Sequence, residues 1–158
     1  MLRRVHTIGK SILLNESEEA EIKKTGDSFL DKIRFRCLEE CSTCCERPDG
    51  FVFIDKEEAL AAARFLNMNA DEFLLHFTRE FDHCHSLANG EDDHCVFLED
   101  GKCLIYPVRP AQCRTYPFWP ENLRNHAAWQ KTQDECPGIG RGKHIPKEKI
   151  RLFIKENP

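Results

Sequence analysis

Apolar residues recur at helical spacing in the centre of the chain, in an alanine-rich segment from Glu57 to Leu66. Asp55 and Glu58 form a capping-box pair at its start, an arrangement that commonly opens a helix. We therefore predict a helix in this segment. Its inward face is expected to consist of Leu60, Ala63 and Leu66.

A second helical pattern follows, from Ala70 to Phe81. Asn69 and Glu72 repeat the capping-box signal at its start. The apolar residues at helical spacing in this segment are Phe73, Leu74, Phe77 and Phe81. Such a stripe is typical of a core rather than of a cofactor site. The two helices are therefore predicted to form a hairpin that acts as scaffold between two cysteine-rich regions.

Strand signals lie on both sides of this helical hairpin. Phe51 to Ile54 is a short apolar run that predicts a buried strand, and Asp100-Gly101 separates two apolar runs between Cys95 and Tyr106. An Asp-Gly pair in that position is a strong signal for a β-hairpin. The polar stretch around His83-Cys84-His85 is predicted to be a loop without a specific role, with metal chelation as the weaker alternative.

Short elements are predicted near both ends of the chain. Residues 15–24 have an N-cap residue, early acids and late lysines, which suit a short helix. Residues 109–114 are expected to form one helical turn, and a last helix is expected over 147–155, with Ile150 and Phe153 facing inward. This mixture of helices and strands predicts a small, loop-rich α+β fold.

The chain is predicted to form one domain with two flanking parts. Its 158 residues suffice for one ordinary core. We expect residues 1–36 to form an N-terminal arm, residues 37–140 a cysteine-cluster domain, and residues 141–158 a C-terminal helix packed on that domain.

Charge and hydropathy exclude some classes of function. The net charge is −4, with acids and bases interspersed, which argues against a nucleic-acid-binding module. No apolar run is long enough for the core of a signal peptide or for a membrane span. We therefore expect a cytoplasmic protein without a nucleic-acid or membrane partner, and no protein partner is indicated.

The chemistry is concentrated in four cysteines within nine residues: Cys37, Cys41, Cys44 and Cys45. Thiolates packed this closely repel one another unless a cation or a covalent bond removes the repulsion. A disulfide knot, a zinc site and an iron–sulfur cluster are therefore the candidates. The chain has nine cysteines, an odd number, and disulfides are rare in a reducing cytoplasm. Metal binding is the leading hypothesis.

A second group of cysteines completes the candidate site: Cys95, Cys103, Cys113 and Cys136. Eight thiolates satisfy two four-coordinate ions and four satisfy one, and zinc and iron–sulfur centres both accept four sulfurs. The metal and the number of centres stay open. Cys84 is left outside the set. Cys44 and Cys45 are adjacent, and neighbouring side chains on an extended chain diverge, so both rarely bind one ion.

Two arginines and two tryptophans accompany the second group. Arg109 and Arg114 flank Cys113 and are suited either to stabilising thiolate charge or to forming structural salt bridges. Trp119 and Trp129 are candidates for covering the site and excluding water. No set of nucleophile, base and acid is recognisable.

These segments, taken in order, resemble the YkgJ-type cysteine-cluster family. The matching pieces are Cys41-x2-Cys44-Cys45, Cys95-Val-Phe-Leu, Cys103-Leu-Ile-Tyr106, Arg109-Pro110-x2-Cys113-Arg114-x-Tyr-Pro117 and Cys136-Pro-Gly. The family carries a CxxCxxCC signature and is described as zinc- or iron-chelating, and the flagellin lysine N-methylases are grouped near it. In this chain Cys37 and Cys41 are separated by three residues, one more than the signature has, which leaves Cys37 the least secure ligand.

The resemblance implies chelation of zinc or iron as the first hypothesis for function. The methylase relatives suggest a second hypothesis, a metal-dependent redox or methyl-transfer enzyme, although no S-adenosylmethionine loop is recognisable in the chain. A third hypothesis is an extracellular domain held together by disulfides.

Overall fold

A computed structural model describes residues 27–38, 40–47, 50–81, 83–90 and 92–156. The helix predicted over 15–24, and most of the arm predicted over 1–36, lie outside these residues. The helices are α1 (Asp27–Leu30), α2 (Lys56–Phe65), α3 (Ala70–Phe77), α4 (Ala111–Thr115), α5 (Pro120–Leu123), α6 (His126–Glu135) and α7 (Lys147–Glu156), with a 3-10 turn at Tyr106–Val108. The strands are β1 (Arg34–Phe35), β2 (Phe53–Ile54), β3 (Thr78–Phe81), β4 (Cys84–Leu87), β5 (Leu98–Glu99), β6 (Lys102–Cys103) and β7 (Lys143–His144).

The strands form small antiparallel sheets between the helices. One sheet has the order β2-β4-β3, and two ribbons pair β1 with β7 and β5 with β6. The prediction of a small α+β fold is confirmed. Among the described residues, no helix is both long and apolar enough to cross a bilayer.

The helical hairpin forms as the capping signals predict. The Asp55 carboxylate accepts from the Glu58 amide at 2.8 Å, and the Asn69 side chain accepts from the Glu72 amide at 2.8 Å. These bonds satisfy amides that lack partners inside the helix, which is why α2 and α3 begin there. The inward face of α2 differs from the prediction, because Leu60 is 39% exposed. Ala63 lies on this face as predicted, beside Ala59 and Ala62, and Leu66 packs against the core.

The first hydrophobic core lies under this hairpin. Its buried members are Ile54, Ala59, Ala62, Ala63, Phe73, Leu87, Phe97 and Ile105. The rings of Phe73 and Phe97 stack with centroids 5.8 Å apart, which joins α3 to the segment before β5. Phe97 lies between Cys95 and Cys103 in sequence, so this core supports the segment that carries the second group of cysteines.

The prediction of a single helix from Ala70 to Phe81 is wrong after Phe77. The backbone becomes extended at Thr78, and Thr78–Phe81 pairs with β4, where Phe81 lies opposite Cys84. The residues predicted as the His83–His85 loop therefore contribute Cys84 and His85 to a strand. The apolar spacing does not reveal this strand, because Phe81 lies four residues after Phe77 and that spacing also fits a helix. The backbone hydrogen bonds that make the segment a strand come from its pairing with β4.

Phe51 to Ile54 is only partly a buried strand. Ile54 is buried, but Phe51 is 55% exposed and packs against Phe81 with ring centroids 5.4 Å apart. The predicted β-hairpin is confirmed, although its strands are short. Asp100 and Gly101 have φ values of 49° and 73°, and two left-handed residues in a two-residue turn match the twist of a hairpin.

The second core joins the two ends of the described chain. Its buried members are Leu30, Ile33, Phe118, Leu123, Trp129 and Ile150. Ile150 and Phe153 of α7 face this core as predicted, with the Phe153 ring stacked on Phe118 at 5.2 Å. Trp129 is buried in this core.

Candidate metal centre

The first cysteine group lies on a compact turn, which we call the cluster loop (residues 37, 38 and 40–47). Backbone bonds shape it: the Cys41 amide donates to the Leu38 carbonyl at 3.2 Å, and the amides of Cys45 and Glu46 donate to the Ser42 carbonyl at 2.7 and 3.1 Å. The Cys95 amide then donates to the Cys45 carbonyl at 2.8 Å. This bond joins the first cysteine group directly to the start of the second.

Two side chains place Cys113 by docking α4 against β2 and α2. The Gln112 side chain accepts from the Phe53 amide at 2.9 Å and donates to the Phe51 carbonyl at 2.8 Å, as a neighbouring strand would. The Glu58 carboxylate accepts from the Ala111 amide at 2.6 Å. Glu58 thus holds the starts of both α2 and α4, which ties Cys113 to the helical hairpin.

Two features place Cys136: it lies at the end of α6, and the loop that follows it pairs with β1. We call this pairing the seam with β1. The Cys136 amide donates to the Thr132 carbonyl at 2.9 Å, and the following loop pairs with the strand that precedes Cys37. The Arg36 amide donates to the Gly138 carbonyl at 3.2 Å. A Cβ on Gly138 would lie 2.6 Å from the Arg36 carbonyl oxygen, so only glycine permits this approach.

The eight predicted cysteines form one electrostatic neighbourhood centred on Cys44. Burial raises the pKa of several thiols, and negative charge on Cys44 raises each of them further: Cys37, Cys95, Cys103, Cys113 and Cys136. Cys41 acts on the thiols of Cys37 and Cys136. The four segments that carry these cysteines, the cluster loop, the hairpin, α4 and the end of α6, therefore lie close enough for their thiols to influence one another.

The thiols of Cys44 and Cys45 shift each other's pKa in opposite directions. A hydrogen bond from the Cys45 thiol lowers the pKa of Cys44 to about 7, with help from the positive charges of Arg47 and Arg109. The same bond, followed by burial, raises the pKa of Cys45. A hydrogen bond to the charged form favours that form, so Cys44 is the member of the pair that ionises first.

The remaining cysteine, Cys84, is not part of this network. It lies on β4, opposite Phe81. All nine cysteines lie within the described residues, and each is free of disulfide bonds.

The two arginines that flank Cys113 have different environments. Arg109 faces the thiols: its charge opposes the rise in pKa of Cys37 and Cys103, and its guanidinium lies 3.7 Å from the centre of the Tyr106 ring. Arg114 instead donates to the Arg109 carbonyl at 2.8 Å and lies 3.9 Å from the Glu58 carboxylate. The first therefore counters thiolate charge, and the second has a structural role.

Tyr106 affects the ionisation of Cys37. Its hydroxyl donates to the Cys37 sulfur, which opposes the effect of burial on the pKa of that thiol. Cys37, the ligand that fits the family spacing least well, therefore still belongs to the thiol neighbourhood.

Arg47 is a residue of the site that sequence reasoning missed. Its guanidinium donates to the Glu135 carboxylate at 2.6 Å and to the Tyr116 hydroxyl at 2.9 Å. Tyr116 follows α4, and its ring contacts Trp119 edge-on at 5.0 Å. Arg47 lies just after Cys45 and Glu135 just before Cys136, and this proximity to cysteines was the signal that could have revealed the pair.

Thiols are suitable donors for zinc and for iron–sulfur centres, and eight of them are gathered here without disulfides. Within the described parts of the chain, however, no three histidine, cysteine, aspartate or glutamate side chains already converge on a point that could hold an ion. The chemistry of the donor set therefore fits a metal, while the sulfurs have to draw closer together to bind it.

Comparison with known proteins supports the same chemistry. No solved structure matches this chain. The sequence profile of one family does match, over residues 36–137, which include all eight predicted cysteines. The chain therefore belongs to the CxxCxxCC family, described as a putative zinc- or iron-chelating domain.

Proposed function

We propose that this protein binds zinc or iron through eight cysteines, and that the ligand set is drawn from both groups. The proposed ligands are Cys37, Cys41, Cys44, Cys45, Cys95, Cys103, Cys113 and Cys136. The observation that carries the proposal is the set of thiols around Cys44, whose charge acts on cysteines from the cluster loop, the hairpin, α4 and the end of α6. A bound cation would relieve this mutual repulsion.

The arrangement favours loading in the folded protein. Metal binds the thiolate, and Cys44 is the cysteine whose pKa is lowered, to about 7. The other sulfurs are held close by contacts that do not depend on metal, such as the bond between the Cys95 amide and the Cys45 carbonyl. The ion would supply positive charge that lets the remaining thiols lose their protons.

Metal analysis of protein purified without oxygen tests the proposal. We expect bound zinc or iron in a fixed ratio to protein. Visible absorption separates the two, since an iron–sulfur centre is coloured and zinc is not. A fully folded protein that contains neither metal, and takes up neither on addition, would contradict the proposal.

A redox role is the second candidate, favoured by the exposure of Cys44 and its low pKa. An exposed thiol that is ionised near neutral pH is suited to redox chemistry or to an exchangeable metal centre. Reversible reduction of a coloured centre, followed by its visible spectrum, would support this role. A colourless protein that binds zinc would rule out this redox role. A reducing compartment such as the cytoplasm suits either role, because it keeps the cysteines unpaired.

A further inference from the structure

The strand β3 leaves one edge of the three-stranded sheet open. The sheet has the order β2-β4-β3, so among the described strands β3 has a neighbour on one side only. The Ala88 amide donates to the Phe77 carbonyl at 2.9 Å, and bonded pairs recur at every second residue of an antiparallel ladder. The odd-numbered residues of β3 therefore bond to β4, while Thr78 and Glu80 direct their backbone groups outward.

The opposite edge of the sheet is closed by a side chain. Gln112 accepts from the Phe53 amide at 2.9 Å and donates to the Phe51 carbonyl at 2.8 Å, which occupies the groups that a strand beside β2 would use. The last three residues of β3, in contrast, are exposed to solvent. An exposed strand edge offers its amides and carbonyls to another chain.

A cavity of about 340 Å³ lies beside the open edge. Its lining includes Phe51, Arg79, Phe81 and Ser86. Arg79 lies opposite Ser86 in the ladder, and Phe81 shares their face of the sheet because side chains alternate along a strand. The cavity is therefore on the face to which Arg79 and Phe81 point.

Two exposed aromatic rings form the apolar part of this cavity. Phe51 is 55% exposed and Phe81 is 37% exposed, and their ring centroids lie 5.4 Å apart. Phe51 also stacks on Phe53, with centroids 6.3 Å apart. The rings thus offer a fixed apolar surface to a side chain on a strand that pairs with β3.

The charges around the cavity favour one acid in such a strand. Arg79 donates to the Asn89 carbonyl at 3.3 Å, and its guanidinium has five N–H donors, so it retains donors for a carboxylate. Glu80 and Asp93 also line the cavity, and they repel a segment that carries several acids. Opposite charges on directly facing residues stabilise a strand pair, which favours an acid opposite Arg79 and a base opposite Glu80.

We propose that the open edge of β3 binds an extended segment of a partner protein, which adds to the sheet as a fourth, antiparallel strand. From its N-terminus, this segment carries an aromatic residue opposite Phe81, a basic residue opposite Glu80 and an acid opposite Arg79. Main-chain bonds to Thr78 and Glu80 supply affinity, and the aromatic and acidic side chains supply selectivity. The site is independent of the proposed metal, because none of the proposed ligands lies on β2, β3 or β4.

A second copy of this chain fits the open edge less well than a partner protein does. The two antiparallel registers that pair β3 with itself most fully place either two Arg79 side chains or two Glu80 side chains opposite each other. Like charges directly opposite destabilise a strand pair. The segment therefore comes from a different protein.

Fluorescence anisotropy with labelled peptides tests the site on the full-length protein. The parent peptide contains Phe-Lys-Glu-Thr between serines and has both ends capped, and we expect it to bind saturably. Methylation of the lysine backbone amide removes its bond to the Glu80 carbonyl and should weaken binding by about tenfold. Methylation of the glutamate backbone amide is the matched control. That amide points away from β3, so binding should change by less than about twofold.

Protein variants test the same contacts from the other side. Glu80→Pro removes an amide that faces away from the ladder, a position where strands tolerate proline, and should weaken binding by about tenfold. Arg79→Glu should reverse the preference for the parent peptide over one with lysine in place of glutamate, by about threefold. Arg151→Glu, at an exposed position of α7, is the control and should leave that preference unchanged.

Three results would overturn the inference. The first is absence of saturable binding of the parent peptide, and the second is equal binding of the two methylated peptides. Sedimentation of the protein without peptide provides the third, since a monomer is expected. A dimer that Glu80→Pro dissociates would assign the open edge to a second copy of the chain and reject a partner protein.

Discussion

The guanidinium of Arg47 lies 2.6 Å from the carboxylate of Glu135, and this ion pair joins the two cysteine groups of the protein. Arg47 follows the cluster loop cysteines and Glu135 precedes Cys136. The side chains of both residues are 39% exposed, so solvent weakens the pair without removing it. Its main effect is geometric, because it sets how far the end of α6 lies from the cluster loop.

Replacing Arg47 with leucine is expected to weaken zinc binding by about tenfold, the loss typical of a residue that supports ligands. It also removes a charge-assisted bond worth about 1–2 kcal/mol of unfolding free energy. Competition with a zinc chelator and urea unfolding measure the two effects. Arg151→Leu, at an exposed position of α7, is the control. A double-mutant cycle with Glu135→Gln should show coupling, and strictly additive effects would contradict the joining role.

Gly138→Ala is expected to separate Cys136 from Cys37. The new Cβ would lie 2.6 Å from the Arg36 carbonyl oxygen, so the seam with β1 has to open at a cost of about 1–3 kcal/mol. Thermal unfolding and zinc content measure the result, and both should fall. Gly90→Ala is the matched control, since its Cβ would meet nothing closer than 3.4 Å. If the two variants are equally stable, the loop after Cys136 accommodates the added Cβ without opening its pairing with β1, and the prediction is wrong.

Replacing each of the nine cysteines with serine in turn is expected to lower zinc affinity by an amount that depends on where the cysteine lies in the site. Cys44→Ser should lower zinc affinity most, by more than about a hundredfold, because Cys44 acts on thiols from every segment of the site. Cys84→Ser should leave the zinc content unchanged, since Cys84 lies on β4 outside the network. Metal content and chelator competition provide the readout. A loss of zinc in Cys84→Ser equal to that in Cys44→Ser would reject the proposed ligand set.

Alkylation of metal-free protein is expected to report the ionisation of Cys44. Its pKa is lowered to about 7, mainly by the hydrogen bond from Cys45, so its reactivity should fall as pH drops below about 7. Cys45→Ala removes that bond and should move the midpoint upward toward the ordinary thiol value. Arg109→Gln should move it upward less, because Arg109 is a smaller cause.

Mass spectrometry of the alkylated peptide identifies the reacting sulfur in that experiment. Arg114→Gln is the control, since the Arg114 guanidinium faces Glu58 and the Arg109 carbonyl. An unchanged midpoint in Cys45→Ala would show that the Cys45 thiol does not lower the pKa of Cys44.

Local signals in the sequence predicted the elements that depend on near neighbours. The capping residues Asp55 and Asn69 mark the starts of α2 and α3, and Asp100-Gly101 marks the hairpin turn. In each case the bonds that stabilise the element link residues a few positions apart. The wrong extension of α3 past Phe77 has the opposite cause, because β3 is stabilised by bonds to a later strand.

The sequence by itself determined which groups carry the chemistry of this protein, since thiolates clustered this closely repel one another unless a cation or a covalent bond removes the repulsion. It also predicted that eight cysteines supply the ligands of one or two centres, with Cys84 outside the set. Only the tertiary structure decided which sulfurs are open to solvent, which arginine faces them, and that Arg47 meets Glu135. Those relationships depend on contacts between residues far apart in the chain. No local pattern encodes such contacts, because they form only when the two cores bring the segments together.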